Sequence, residues 1–213
     1  MVKKLNLLCF LMFIGVFQSA LSENNGLSFF VTSVGLGNGA NLGGITGADS
    51  HCQQLATVAG AGDRVWKAYL STVKVKGQPQ VNARDRIGSG PWYNANGVKV
   101  AKNIDDLHLN NELNKINSIT EKGNVINGRG DKPNKHDILT GSSQSGMAQP
   151  GEDDTTCNNW SSNESGAALV GHHDRKGGNN RTSWNSAHSS FGCSSKDLNM
   201  TGGNGFFYCF AAD

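Results

Sequence analysis

The sequence has little excess charge and only one long apolar run. Its 19 lysine and arginine residues and 17 aspartate and glutamate residues give a formal net charge of +2 over 213 residues. So small a charge argues against binding to nucleic acid or an acidic membrane surface, since both need a concentrated positive field. The apolar run spans residues 5–17, and no later segment approaches the ~20 apolar residues of a membrane-spanning helix. We therefore predict that the protein is not an integral membrane protein and does not bind nucleic acid.

The N-terminus has the order of features found in secretory signals. Lys3 and Lys4 precede the apolar run, and the small residues Ala20 and Ser22 follow it. Signal peptidase recognises this arrangement. We predict a signal peptide over residues 1–22 and a single domain over residues 23–213. The mature protein is then expected to be secreted, periplasmic or on the cell surface.

Two motifs of metal sites and hydrolases are missing from the sequence. There is no Cys-x-x-Cys pair, which argues against a zinc site built on thiolates. There is no Gly-x-Ser-x-Gly, so a serine hydrolase using Ser142, Ser143 or Ser145 with His136 or His173 would lack the turn that exposes its nucleophile.

Cysteines outside the predicted signal are even in number. Of the five cysteines, Cys9 lies within the signal. The other four are Cys52, Cys157, Cys193 and Cys209. In an oxidising compartment they predict two disulfides, and four cysteines allow three connectivities.

A helix followed by a strand is the clearest local pattern. Small and apolar residues recur at helical spacing at Ala48, Cys52, Leu55, Ala56 and Ala59. Thr46 and Asp49 have the spacing of a capping box at the start of this helix, and Gly60 and Gly62 can end it.

Beyond this helix, alternating residues predict a strand with one buried face. Trp66, Ala68 and Leu70 would face the core, and Lys67, Tyr69 and Ser71 would face outward.

Further strands and one further helix are predicted along the chain. Strands are expected over residues 27–33, with Leu27, Phe29 and Val31 on one face, and over residues 205–212, the latter apolar enough for the middle of a sheet. A short strand with its turn is expected over residues 137–142. A short helix is expected over residues 105–117, with Leu109, Leu113 and Ile116 on one face. The 28 glycines predict long loops elsewhere.

Several segments together resemble a known family. They are Gly44-Ile-Thr-Gly-Ala-Asp49 before Cys52, Arg64-Val-Trp-Lys-Ala-Tyr-Leu-Ser71, Gly141-Ser142, Cys157-Asn-Asn-Trp160 and the closing Tyr208-Cys-Phe210. In this order they resemble the endostatin domain of basement-membrane collagens and its bacterial endostatin-like relatives, which have a C-type-lectin-like fold.

The resemblance implies an α+β fold of the C-type-lectin-like, endostatin-like kind. Its sheet would be mixed but mostly antiparallel, with one main helix, a second short helix and long loops. Two nested disulfides, Cys52–Cys209 and Cys157–Cys193, are implied as well.

A binding role is also implied by the resemblance. We expect a secreted or surface-associated adhesin or lectin-like module, and not an enzyme, that recognises an extracellular-matrix protein or a glycan. Calcium is not expected as a cofactor, because Lys132-Pro133-Asn134 and Trp184-Asn185-Ser186 lack the carboxylates of the lectin triplets. Trp184 and Asn185 are candidate ligand contacts, with Trp184 exposed to stack on a sugar, whereas Trp160 is expected in the core.

The triplet Arg129-Gly130-Asp131 lies among Asn, Gly, Lys and Pro, which predicts an exposed turn. Arg129 and Asp131 are therefore candidate ligand contacts, with an integrin as a conceivable partner. The alternative is a charged loop in which Asp131 or Asp137 caps the next element.

A cluster of histidines and an aspartate suggests a different function. His172, His173, Asp174 and His188 could bind zinc and serve a secreted metal-dependent hydrolase. Neighbouring residues on a strand point to opposite faces, so at most one of His172 and His173 would be a ligand there. The alternative for this cluster is that its polar side chains only stabilise a loop through hydrogen bonds. A third alternative, for the whole protein, is a structural module of the cell envelope.

Overall fold

The computed structural model describes residues 26–75, 79–151, 153–178 and 182–213. The predicted signal over residues 1–22 lies outside these ranges. The described chain forms short strands and helices joined by long loops. They are β1 (Phe29–Val31), α1 (Gly44–Val58), β2 (Trp66–Ala68), a 3-10 turn (Ala83–Asp85), β3 (Trp92–Tyr93), β4 (Lys99–Ala101), α2 (Ile104–Leu109), β5 (Asp137–Leu139), α3 (Cys157–Trp160), β6 (Leu169–His172), β7 (His188–Ser189), α4 (Ser195–Thr201) and β8 (Gly203–Ala211).

The last strand organises the main sheet. β8 pairs in an antiparallel sense with both β1 and β2, which therefore lie on opposite edges of its C-terminal half. Its N-terminal half pairs in parallel with β5, and β6 and β7 follow in antiparallel order. A separate hairpin joins β3 to β4. The described fold is thus α+β with a mostly antiparallel sheet, and the expectation that the last strand is central is confirmed.

Two apolar cores lie on opposite faces of β8. Phe207 and Cys209 pack with α1 in one core. Phe206, Tyr208 and Phe210 pack in the other. This division follows from the period of two of a strand, and it agrees with the alternation predicted from the sequence.

Helix α1 begins differently from the prediction. Gly43 precedes it in the left-handed conformation (φ 72°), and no side chain caps the first turn, so the capping box at Thr46 and Asp49 is wrong. The Asp49 carboxylate instead accepts hydrogen bonds from the backbone N–H of Ala68 at 2.9 Å and from Arg86 at 2.8 Å. Asp49 therefore fixes the helix to β2 rather than starting it.

The two disulfides implied by the family resemblance are confirmed. Cys52–Cys209 joins α1 to β8 across 157 residues, and Cys157–Cys193 joins α3 to the loop before α4 across 36 residues. A disulfide that closes a long loop contributes about 2–4 kcal/mol of stability. Cys157–Cys193 stabilises a region with little apolar periodicity of its own, whereas Cys52–Cys209 joins two regular elements.

Two predictions about strand faces need correction. Tyr69 and Ser71 were expected to face outward, but both are fully buried. The chain that follows β2 therefore has both of its faces buried. Leu27 packs with the core on the α1 side, away from Phe29 and Val31.

Helix α2 ends at Leu109, far short of residue 117. The side chains of Leu109 and Ile116 are 76% and 65% exposed, whereas Leu107 and Leu113 are buried. The apolar spacing at residues 109, 113 and 116 therefore did not mark a helix face. Among the described residues, no helix combines the length and apolar character needed to cross a bilayer.

Candidate metal centre

One end of the β5–β6–β7 portion of the sheet brings four ionisable residues together. Asp137 opens β5 and lies directly opposite His172, the last residue of β6. His188 opens β7 and pairs with Val170, two residues from His172 and therefore on the same side of the strand. His136 immediately precedes β5. We call His136, Asp137, His172 and His188 the histidine–aspartate centre.

The Nε2 atoms of His136, His172 and His188 surround the Asp137 carboxylate. Asp137 Oδ1 lies 3.1 Å from His136 Nε2, 3.2 Å from His172 Nε2 and 3.6 Å from His188 Nε2. His172 Nε2 and His188 Nε2 are 2.9 Å apart. His136, Asp137 and His172 are buried, whereas the side chain of His188 is 26% exposed.

The Asp137 carboxylate lacks the hydrogen bonds that burial normally demands. Neither of its oxygens accepts one from any residue within the described ranges, although Oδ1 is at ion-pair distance from three imidazoles. A buried ionised carboxylate without such partners is costly, and buried polar groups are nearly always satisfied. The contacts have the distances, but not the directions, of hydrogen bonds.

The hydrogen-bond partners of the three Nδ1 atoms determine whether the Nε2 atoms, which face Asp137, carry a proton or a lone pair. His136 Nδ1 is 3.3 Å from Asp174 Oδ1, His172 Nδ1 is 2.7 Å from the Lys176 carbonyl oxygen, and His188 Nδ1 is 3.0 Å from the Ser189 carbonyl oxygen. These oxygens can only accept, so each Nδ1 carries a proton. In a neutral imidazole the Nε2 atom then presents a lone pair.

Lone pairs and a carboxylate therefore face one another across the centre. The 2.9 Å contact between the two Nε2 atoms is a hydrogen bond if one of them carries a proton, and it is repulsive between two lone pairs unless both bind a metal ion. Metal-binding histidines almost always donate their outer N–H to a carboxylate or a carbonyl, as all three do here. The centre requires either protons or a metal ion.

The distances fit a tetrahedral zinc ion. Zinc–nitrogen and zinc–oxygen bonds of about 2.0–2.1 Å place the ligand atoms of a tetrahedron about 3.3–3.4 Å apart. The four separations given above, out of six among these atoms, run from 2.9 to 3.6 Å and bracket that value. His136, Asp137 and His172 have ligand atoms that all lie within 4.8 Å of one another, and His188 lies outside this set. Three imidazoles and a carboxylate are also donors that zinc prefers.

Asp174 supports the centre from behind. Its carboxylate accepts hydrogen bonds from the backbone N–H groups of Arg129 at 2.6 Å and Lys176 at 3.1 Å, besides its contact with His136. Burial alone would raise the pKa of Asp174, but these hydrogen bonds outweigh it and hold the pKa well below its usual value. Asp174 therefore stays ionised and fixes the orientation of the His136 ring.

The sequence prediction for the metal site named two of the four donors. His172 and His188 belong to the centre, and Asp174 lies behind it. His173 points away, with Nε2 3.2 Å from the Asn127 carbonyl oxygen, as adjacent strand residues should. His136 and Asp137 were not predicted as ligands, because only the pairing of β5 with β6 reveals their proximity.

Trp184 and Asn185 do not form an exposed binding surface. Trp184 is 2% exposed and packs between Tyr69 and Tyr208, so the expectation that its ring is open to a sugar is wrong. The buried Asn185 amide donates to Tyr69 Oη at 3.0 Å and to the carbonyl of Ser143 at 3.1 Å. Both residues serve the core. Trp160 is fully buried, as expected.

The Arg129-Gly130-Asp131 turn is only partly exposed. The Asp131 carboxylate contacts Lys115 Nζ and accepts a hydrogen bond from the backbone N–H of Gly128 at 2.8 Å. The contact with Lys115, followed by the Gly128 hydrogen bond, lowers the pKa of Asp131. Its carboxylate thus closes its own turn, while Arg129 is exposed.

A cavity of about 400 Å³ opens over the centre. It is lined by His136, His172, His188, Arg129, Asn134, Ser189, Phe191 and Thr201. The three histidines form its floor, so the centre is reachable from the surface on this side.

Comparisons with protein families and with curated proteins gave no match to this sequence. The protein is an α+β domain with two disulfides and three histidines that meet one aspartate at the end of its sheet.

Proposed function

We propose that this chain is a secreted binding module of C-type-lectin-like, endostatin-like fold that holds one zinc ion at the histidine–aspartate centre. His136, Asp137, His172 and His188 are its ligands. The observation that carries the proposal is the buried Asp137 carboxylate, which lies among three imidazole Nε2 atoms without a hydrogen bond. A divalent cation would satisfy all four groups at once.

The donor chemistry favours zinc over calcium. Calcium takes six to eight oxygen ligands, whereas this centre offers three nitrogens and one carboxylate. Zinc commonly binds such sets with four protein ligands.

The number of protein ligands favours a binding module over a hydrolase. Catalytic zinc sites keep a position open for water, whereas four protein donors fill a tetrahedral site. Zinc here would join β5, β6 and β7 and fix the loops around the cavity. The resemblance to endostatin supports an extracellular-matrix protein or a glycan as the partner of that loop surface.

A metal-dependent hydrolase is the second candidate, and the position of His188 favours it. His188 is the most exposed of the four donors and is 3.6 Å from Asp137 Oδ1, the longest of the three contacts to that oxygen. Displacement of His188 would leave three protein ligands and one open position.

Zinc titration of the purified, disulfide-bonded protein tests the proposal. After removal of metal with a chelator, calorimetry should show one zinc ion bound per chain. His172→Ala should lose this binding, because the most buried imidazole ligand is removed. His51→Asn is the matched control and should bind as the parent does, since His51 contacts the Val34 carbonyl oxygen far from the centre.

Two results would count against the proposal. Failure of the parent protein to bind zinc would exclude the zinc centre. Zinc binding that survives His172→Ala but is lost in His51→Asn would place the metal elsewhere.

A further inference from the structure

Among the described residues, the cavity above the centre is lined by positive and neutral groups. Besides the three histidines of the floor it has one charged residue, Arg129, and the polar side chains of Asn134, Ser189 and Thr201. No aspartate or glutamate is among these described lining residues. Asp137 lies beneath the histidines and does not line the cavity.

The backbone of Arg129 is fixed by a hydrogen bond, whereas its side chain has no acidic partner among the described residues. Its N–H donates to Asp174 at 2.6 Å, and the same carboxylate orients His136. Within the described ranges its guanidinium forms no ion pair with an acidic side chain. Asp174 thus positions both His136, a proposed zinc ligand, and the backbone of Arg129, which lines the cavity.

Phe191 supplies an apolar wall. Its side chain is 71% exposed, and its backbone N–H is fixed by Thr201 Oγ1 at 3.0 Å. An exposed aromatic ring at the mouth of a polar cavity offers a flat contact surface for the body of a ligand.

We infer that this cavity binds an oxyanion, a carboxylate or a sulfate, carried on a small organic body that packs against Phe191. The inference rests on the proposed zinc centre. A zinc ion with one aspartate ligand leaves an excess positive charge at the floor, and Arg129 adds a second positive charge at the wall. A guanidinium matches the geometry of oxyanions and forms strong charge-assisted hydrogen bonds with them.

Calorimetric titration of the zinc-loaded protein tests this inference at constant ionic strength. The probes are acetate, sulfate, benzoate and the neutral analogue benzyl alcohol. Arg129→Gln should weaken oxyanion binding about tenfold or more, because a charge-assisted hydrogen bond is lost. Lys99→Gln, which removes an exposed positive charge from β4, is the matched control and should leave binding unchanged. Phe191→Ala should weaken benzoate and leave acetate and sulfate unaffected.

The outcomes separate this inference from the proposed function. Binding of acetate or of sulfate that depends on Arg129 supports it, and the stronger of the two identifies the oxyanion. If zinc binds but neither anion does, or if benzyl alcohol binds as tightly as benzoate, the oxyanion site is excluded while the zinc centre stands. If zinc itself does not bind, the proposed function fails and the inference fails with it.

Discussion

Replacing Asp137 with asparagine should change stability in opposite directions with and without zinc. In zinc-free protein the carboxylate is buried without a hydrogen bond, and a group in that state costs about 1–3 kcal/mol, more if charged. Asparagine has the same shape, carries no charge and can donate to an imidazole lone pair. We therefore expect Asp137→Asn to raise the free energy of unfolding of the zinc-free protein by about 1–3 kcal/mol.

With zinc the sign should reverse. A ligand present at 1,000 times its dissociation constant stabilises the folded state by about 4 kcal/mol. The parent protein gains this stabilisation, and the variant, which lacks one of four donors, gains much less. For a domain of this size, each kcal/mol corresponds to about 2–4 °C in Tm.

Thermal unfolding in chelator and in excess zinc measures both effects. Asp174→Asn is the matched control, because that aspartate also contacts His136 but accepts hydrogen bonds from three groups. It should destabilise the protein in both conditions. If Asp137→Asn destabilises the zinc-free protein as well, the carboxylate is paired with protonated histidines and the argument for a metal ion is refuted.

Two further predictions concern stability away from the centre. Asn158 has φ 55° and ψ 53° within the α3 turn and is exposed, so Asn158→Val should cost about 1–2 kcal/mol in urea unfolding, whereas Asn158→Gly should cost nothing. A valine variant as stable as the parent would show that the turn is not left-handed. Burial lowers the pKa of His108 below its usual 6.5, so below about pH 6.5 the unfolded chain takes up a proton that the folded chain does not. Stability should therefore be complete above that pH and fall below it, and His108→Gln in chelator should reduce this slope by up to about 1.4 kcal/mol per pH unit. An unchanged slope in urea unfolding at several pH values would contradict the assignment.

The sequence predicted those elements whose pattern is long and regular. Helix α1 and strand β8 carry clear periods of 3.6 and 2, and both were placed correctly. The short helix α2 was predicted too long, because Leu109 and Ile116 have helical spacing although both are exposed and Ile116 lies beyond the helix, which ends at Leu109. From the sequence alone, an exposed apolar residue cannot be distinguished from a buried one.

The candidate centre could be predicted only in part. His172 and His188 were recognisable as metal-binding residue types, but their partners His136 and Asp137 lie more than 30 residues away. Only the antiparallel register that sets Asp137 opposite His172 brings them together. The left-handed turn at Cys157–Trp160 was equally hidden, since the pair Asn158-Asn159 permits that conformation without requiring it.

A crystal of the protein soaked in zinc gives the most direct test of the central claim. Anomalous diffraction at the zinc absorption edge should show one peak among Asp137 Oδ1 and the Nε2 atoms of His136, His172 and His188, at about 2.0–2.2 Å from each. A peak at another place, or no peak at these four residues under saturating zinc, would contradict the claim that they form a metal centre.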